Sequence, residues 1–165
     1  MARLSSEKLT GRGTCPYLGR AYPLRVDPSR RFPLTWSPEE GFIISVGRPR
    51  EVRLLMKQWY THRAHETLGG RVAHFAPTMN LFPKKVRIRD TRSRWGSCSH
   101  RDVINFSWRM MALPSGVIDY IVVHELAHIR EKNHGPAFWR LVASFVPDHK
   151  THRAWLRLHT RSFLL

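Results

Sequence analysis

The chain has 165 residues, which is enough for one folded domain with a buried core. Hydrophobic residues make up 42% and aromatic residues 11%, including six Trp, and this composition excludes an intrinsically disordered protein. The formal net charge of +16 predicts a surface that attracts polyanions such as DNA, RNA or acidic proteins. Because the basic residues are spread along the chain without one dense block, charge alone does not assign a nucleic-acid function.

The first part of the chain predicts a tail, a sheet and a long helix. Residues 1–20 are polar and without periodicity, which indicates a flexible N-terminal tail, and residues 21–165 are predicted to form a single domain. Between Tyr22 and Val46, short apolar runs separated by Pro, Ser and Gly predict a small antiparallel sheet. The stretch RPREVRLLMKQWYTHRAHETLGGRVAHFA repeats apolar residues at helical spacing and predicts a helix, with Gly69 and Gly70 as a point of interruption.

The second part predicts two strands and three helices. KKVRIRD and VINFSW alternate polar and apolar residues, and we expect them to form a hairpin around the turn-like RWGSCSHRD. Pro114 and Ser115 precede a strongly apolar helix, GVIDYIVVHELAHIREK, which ends near NHGP. Gly135 and Pro136 start the next helix, and a last helix follows Pro147. The order of elements predicts an α+β fold.

The two cysteines, Cys15 and Cys98, form no CxxC or other metal-binding spacing. One disulfide is an alternative, but two free thiols in a reducing compartment is the interpretation that we favour. The N-terminal residues lack an apolar signal segment, and no apolar run reaches the length of a membrane span. We therefore predict a cytoplasmic protein with no membrane partner.

The apolar helix carries the HExxH arrangement in His124, Glu125 and His128. His124 and His128 are about one turn apart, so both rings project from one face and can reach one ion at about 2.0–2.1 Å. Glu125 is placed to act as general base toward a zinc-bound water without being a ligand itself. His134 follows the helix break and is the candidate third ligand, which leaves the open position that a hydrolytic zinc site requires.

A chance pair of histidines at this spacing is the alternative, since the chain holds ten His. Two His on a helix face are by themselves more often structural or exposed than metal-binding. A buried helix seldom carries two His and a Glu on one side unless something satisfies their polar atoms. With Glu125 in register and a third His beyond the break, the whole set favours a metal site that holds one zinc ion per chain.

Three stretches of the chain resemble the YgjP-like family of zinc metallopeptidases, which is related to the SprT/Spartan and WLM groups. They are RWGSCS at 94–99, DYIVVHELAHIREKNHGPAFW at 119–139 and VPDHKTHRAWL at 146–156, and the resemblance covers about residues 22–160. It implies a minimal zincin-like fold, with a small antiparallel sheet and hairpin packed against the metal-site helix and flanking helices. It also implies that His124, His128 and His134 hold zinc and that Glu125 is the base.

The sequence departs from the family pattern at three positions. Asp102 stands near the hairpin turn where the family has Gly, a mild change because Asp tolerates left-handed turns. His149 stands where the family has Tyr, so any role of that Tyr hydroxyl would fall to His149. Glu131 replaces the Gly found between the second and third ligands of metzincins, and the chain is therefore not assigned to the metzincins.

Arg94, Trp95 and Ser97 are candidate substrate-binding residues, because the resemblance places RWGSCS near the cleft. Arg94 could bind a substrate carboxylate, and the strand edge could pair with an extended peptide. The alternative is that Trp95 belongs to the core, that Ser97 lies in a turn and that Cys98 is a small buried apolar residue.

Other polar and aromatic residues have less specific predictions. Asn105 and Asp119 are candidate partners of the zinc-binding histidines, with cap or surface roles as the favoured alternative. Phe138 and Trp139 are expected to pack behind the metal helix. The histidines of the last helix are expected on a solvated face; they are His149, His152 and His159.

The leading functional prediction is a zinc-dependent peptidase that acts on protein or peptide substrates in the cytoplasm. Action on proteins associated with DNA is an extension of this hypothesis, suggested by the charge of +16 and the relation to Spartan. One alternative is a zinc-dependent hydrolase of nucleoside triphosphates, although no Gly-rich phosphate loop is visible. Another is a basic nucleic-acid-binding module with structural zinc, but closed structural sites usually have four ligands and favour Cys.

Overall fold

The computed structural model describes residues 12–46 and 48–164. Two small sheets and four helices form the predicted α+β fold. The strands are β1 (Arg12–Tyr17), β2 (Arg20–Val26), β3 (Leu34–Ser37), β4 (Gly41–Ile44), β5 (Lys85–Arg89), β6 (Gly96–Cys98) and β7 (Val103–Ser107). The helices are α1 (Pro49–Met79), α2 (Ser115–Arg130), α3 (Pro136–Phe145) and α4 (His149–Leu164), with a 3-10 helix over Trp108–Ala112.

The first sheet has the strand order β1-β2-β4-β3 and differs from the prediction in two ways. It is mixed rather than antiparallel, because β2 and β4 run parallel while the outer pairs are antiparallel. It also begins at Arg12, so residues 12–20 form a strand and a turn where a flexible tail was predicted. Residues 1–11 of that predicted tail lie outside the described residues.

The second sheet has the order β5-β7-β6, and the predicted hairpin between β5 and β7 is wrong. β5 and β7 are parallel, with Arg87 opposite Asn105. The short strand β6 lies between them in sequence and forms the antiparallel hairpin with β7, where Ser97 is opposite Asn105. Asp102 in the turn of that hairpin has φ of 56°, the left-handed conformation that the expected Gly would supply. In the order β5-β7-β6, β6 is an outer strand, and among the described residues no strand pairs with its other edge.

Helix α1 is continuous through Gly69 and Gly70, so the predicted interruption does not occur. Its buried side chains recur every four residues, which keeps one stripe against the core through both glycines. The stripe consists of Val52, Met56, Tyr60, Ala64, Leu68, Val72 and Ala76.

Helix α2 is the central element of the fold and packs against α1, α3, α4 and β6. Its central residues are buried on several faces, as expected for a helix that other elements surround. It begins after Pro114 and ends at Arg130, and Pro136 begins α3 with Gly135 as its N-cap residue. These breaks agree with the prediction and leave residues 131–135 as a loop beside the end of α2.

Candidate metal centre

Helix α2 carries His124, Glu125 and His128 in its last two turns, and the loop that follows brings His134 back toward them. The Nε2 atom of His134 lies 3.1 Å from Nε2 of His124 and 3.1 Å from Nε2 of His128. Two ligands at about 2.0–2.1 Å from a tetrahedral zinc ion are themselves roughly 3.3 Å apart. Nε2 of His134 therefore lies about as far from each of the other two nitrogen atoms as two ligands of one metal ion do, and the ligand atoms of all three histidines lie within 4.8 Å of one another.

The ring of His128 has a fixed tautomer that suits metal binding. Its Nδ1 lies 2.9 Å from the carbonyl oxygen of Glu131, and because a carbonyl only accepts, Nδ1 is the donor. In the neutral ring, Nε2 then bears a lone pair directed at the other two histidines. Burial lowers the pKa of His128, partly offset by this hydrogen bond, which favours that neutral ligand form.

His124 is also held in its neutral form. Burial is the main cause that lowers its pKa to about 3, and the neighbouring histidines act in the same direction. The hydroxyl of Tyr120 lies 3.5 Å from Nδ1, and the buried ring of Phe138 packs edge-on at 4.9 Å between centroids. Among the described residues, the three histidines are the one group whose ligand atoms could hold a metal ion. The donor set and its geometry therefore fit zinc.

Glu125 is 6% exposed and packs against the backbone of β6. A Cβ atom added to Gly96 would lie 2.7 Å from both Cγ and Oε1 of Glu125, so the strand approaches this carboxylate as closely as only glycine permits. Burial raises the pKa of Glu125 to about 7, and the positive charge of Arg94 opposes that rise. The residue is thus a buried carboxyl beside the histidine cluster with raised basicity.

A cleft of about 370 Å³ joins these groups. Its walls are β6, the three histidines with Glu125, and two basic side chains, His100 and Lys132. Lys132 also pairs with Asp102 at 2.9 Å, which ties the loop after α2 to the β6–β7 turn. The free edge of a strand and a candidate metal site therefore share one cavity.

The three predicted substrate-binding residues lie in different environments. Ser97 lines the cleft, and its hydroxyl accepts a hydrogen bond from Asn105 at 3.4 Å. Arg94 is exposed just before β6. The indole of Trp95 is 8% exposed and donates to Thr160 of α4 at 3.1 Å, so this side chain belongs to the core.

Asn105 and Asp119, for which cap or surface roles were favoured over contact with the histidines, form other contacts in the structure. Asn105 contacts Ser97, and Asp119 pairs with Arg71 of α1 at 3.1 Å. Tyr120, which was not among these candidates, is the residue whose hydroxyl lies near Nδ1 of His124. Its spacing of four residues before His124 was the available signal, since such residues share a helix face.

His149 was predicted on a solvated face, but the structure buries it, with 7% of its surface exposed. Its ring stacks on Trp139, which itself stacks on His134, so His149 is one ring removed from the ligand cluster. Phe138 is fully buried and Trp139 is half-buried beside it. Both rings contact the histidines of the cluster, whereas the sequence analysis expected them behind the helix.

A buried general-base candidate beside a three-histidine site, on an α+β scaffold, defines a metal-dependent hydrolase. A family model described as YgjP-like, metallopeptidase domain, matches residues 2–159, and the chain belongs to this family. The protein is thus a metallopeptidase, as the sequence predicted, and the assignment to the zinc peptidases is confirmed at the level of the family.

A solved structure shares the fold over part of the chain. It is described as the crystal structure of the metallopeptidase zymogen of Pyrococcus abyssi abylysin, and the TM-score is 0.50. The sequences are 24% identical, and the match covers 57% of this chain and 93% of that chain. No curated protein matches the chain. Among the described residues, no helix has the length and apolar character needed to cross a membrane.

Proposed function

We propose that this metallopeptidase uses one zinc ion, held by His124, His128 and His134, and Glu125 as general base to hydrolyse peptide bonds. The proposal rests on one observation: the Nε2 atoms of the three histidines lie close together, beside the buried carboxylate of Glu125 in the same cleft. Three protein ligands leave a coordination position open, which is typical of catalytic zinc and not of structural zinc.

When bound, the zinc ion supplies Lewis-acid polarisation of the substrate carbonyl and a lowered pKa for water at its open position. The contribution of the chain is the placement and basicity of Glu125. Because burial raises its pKa to about 7, this carboxylate takes a proton from the attacking water more readily than an exposed Glu would. The same proton is then available for the nitrogen of the leaving amine.

We propose that the substrate binds as an extended peptide along the free edge of β6. This strand forms one wall of the cleft and lies directly against Glu125, so a paired peptide backbone would pass the base and the metal site. Ser97 offers a hydroxyl at this edge. Arg94, exposed just before the strand, supplies a positive charge for a substrate carboxylate.

The test compares wild type with Glu125→Gln and with the matched control Glu131→Gln. Zinc content, hydrolysis of denatured casein and hydrolysis of nucleoside triphosphates are measured on each protein. We expect about one zinc ion per chain in all three and casein cleavage in wild type and Glu131→Gln only. Because Glu131 contacts His128 through its backbone carbonyl, the control removes a carboxylate without disturbing that hydrogen bond. Casein cleavage by Glu125→Gln at the wild-type rate would contradict the proposed base.

A second candidate function keeps the same ion and base but attacks the phosphoanhydride of a nucleoside triphosphate. Lys132 and His100 in the cleft favour it, since an ammonium group and an imidazole N–H can donate hydrogen bonds to phosphate oxygens. Triphosphate hydrolysis that depends on Glu125, with casein left intact, would replace the peptidase proposal by this one. Bound zinc without either activity would instead favour the nucleic-acid-binding module with structural zinc.

We also propose that polyanions such as DNA contact the outer face of the second sheet, which would bring DNA-associated proteins to the cleft. Lys85, Arg87 and Arg89 alternate along β5 and are exposed, while the residues between them face the core. Within the part of the chain that the structure describes, none of the three forms an ion pair. Stimulation of casein cleavage by double-stranded DNA at low salt, lost when the three are changed to Gln, is the expected result.

The compartment remains a prediction from the sequence. Cys15 and Cys98 are free thiols, which suits the proposed cytoplasmic location.

A further inference from the structure

The third histidine raises a question of positioning, because it lies outside the helix that fixes the other two. His134 is exposed in the loop between α2 and α3, where no helical backbone sets its direction. Among the described residues, no hydrogen bond reaches its Nδ1 atom, whereas Nδ1 of His128 bonds a carbonyl oxygen. Its ring instead stacks on Trp139, with centroids 5.7 Å apart and planes 26° apart. The contact that orients His134 is therefore aromatic.

Trp139 also contacts two residues of helix α4. The ring of His149 stacks on it at 5.8 Å and 19°, and the guanidinium of Arg153 lies 4.7 Å from the centre of its ring. His149 is buried, and its Nδ1 lies 3.2 Å from the carbonyl oxygen of Val146. His149 and Arg153 are four residues apart, so one face of α4 presents both groups to Trp139.

Helix α4 also contacts Tyr120, whose hydroxyl lies near Nδ1 of His124. His152 lies between His149 and Arg153 on α4, and its ring is 6.3 Å from that of Tyr120. It is anchored by Asp148 at 3.0 Å, and a Cβ atom on Gly116 of α2 would lie only 2.8 Å from it. Helices α2 and α4 are therefore in close contact at this point.

We infer that α4 is the support of the metal centre and that Trp139 is the positioning residue for the third ligand. The stack formed by His134, Trp139 and His149 takes the place of the hydrogen bond that usually orients a metal-binding histidine. Aromatic rings suit this task because they have few rotatable bonds and a preferred offset geometry. The inference rests on the metal centre proposed above, and it explains why polar residues of α4 are turned inward.

The experiment measures the zinc dissociation constant by competition with a chelator. Trp139→Leu removes the ring and Trp139→Phe retains one, and His149→Leu and His149→Phe form the same pair one layer further out. His159→Leu is the matched control, because it removes from α4 a ring that stacks on Trp155. The absorption spectrum of the cobalt-substituted proteins and the melting temperature of the metal-free proteins complete the set.

We expect Trp139→Leu to weaken zinc binding by about 10–100-fold and to alter the cobalt spectrum, because partners of metal ligands have effects of this size. Trp139→Phe and His159→Leu should stay within about threefold of wild type. If Trp139→Leu also lowers the melting temperature of the metal-free protein, its weaker zinc binding could reflect lost stability. The zinc affinities of His149→Leu and His149→Phe are then compared instead.

Two results would overturn the inference. One is wild-type zinc affinity in both leucine variants, and the other is an equal loss in His159→Leu, which would indicate general loosening of α4. Absence of zinc from the wild-type protein would be a failure of the proposed function, and the two failures are thereby distinguished.

Discussion

The close approach of β6 to Glu125 gives a sharp prediction for Gly96→Ala. The added Cβ would lie 2.7 Å from Cγ and Oε1 and 2.9 Å from Cδ of Glu125. Unstrained contacts of carbon atoms are about 3.5–4.0 Å, so the carboxylate must retreat by roughly 1 Å. A misplacement of about 1 Å at a reacting group can lower the rate roughly 100-fold. We therefore expect kcat/KM for a peptide substrate to fall by about two orders of magnitude.

The Gly96→Ala protein should nevertheless fold and bind zinc. The clashing atoms belong to a side chain and not to the backbone, and the ligand atoms of His124, His128 and His134 are not among them. The assay measures kcat/KM on a quenched fluorescent peptide, beside zinc content and thermal unfolding. Gly70→Ala is the matched control, because a Cβ there meets no atom within 4 Å. A Gly96→Ala enzyme with full zinc content and wild-type kcat/KM would refute the reasoning.

Two further predictions concern stability. The double change of Gly69 and Gly70 to Ala should stabilise the fold by about 1–2 kcal/mol. Both glycines lie in α1 with open space around them, and each Gly inside a helix costs about 0.5–1 kcal/mol relative to Ala. An unchanged midpoint of urea unfolding would contradict this prediction. Burial alone would raise the pKa of Asp90, but hydrogen bonds from Lys57 and Arg109 outweigh it and lower the pKa to about 2 from its ordinary 3.8. Because the folded pKa is the lower one, this stabilisation is present above about pH 4 and is lost as the pH falls toward 2. Asp90→Asn should therefore destabilise the protein at pH 7 by on the order of 1 kcal/mol, a value reduced by the 40% exposure of the carboxylate. The difference from wild type should shrink below about pH 4 and vanish only below about pH 2, and a difference independent of pH would contradict the assignment.

The proposed metal ligands could be chosen from the sequence because local spacing brings them together. His124, Glu125 and His128 are fixed by helical geometry, and the break at Gly135 and Pro136 marks where the chain turns back. The approach of Gly96 to Glu125 was not predictable in this way, because it depends on how β6 packs against α2.

The errors of the sequence analysis share a cause, since each concerns a tertiary relation. β5 and β7 were paired as a hairpin because β6, with three residues, is too short to produce an alternating pattern. His149 and His152 were assigned to solvent because polar residues at helical spacing usually are. Only the position of α4 against Trp139 and Tyr120 shows that this polar face is turned inward.

The most direct test of the central claim is zinc K-edge X-ray absorption spectroscopy on the purified protein and on His134→Ala. We predict one zinc ion per chain with three imidazole nitrogens at about 2.0–2.1 Å, one further light-atom ligand, and loss of one imidazole in the variant. A sulfur ligand at about 2.3 Å, which only a cysteine such as Cys98 or a methionine could supply, would contradict it. So would a spectrum that His134→Ala leaves unchanged.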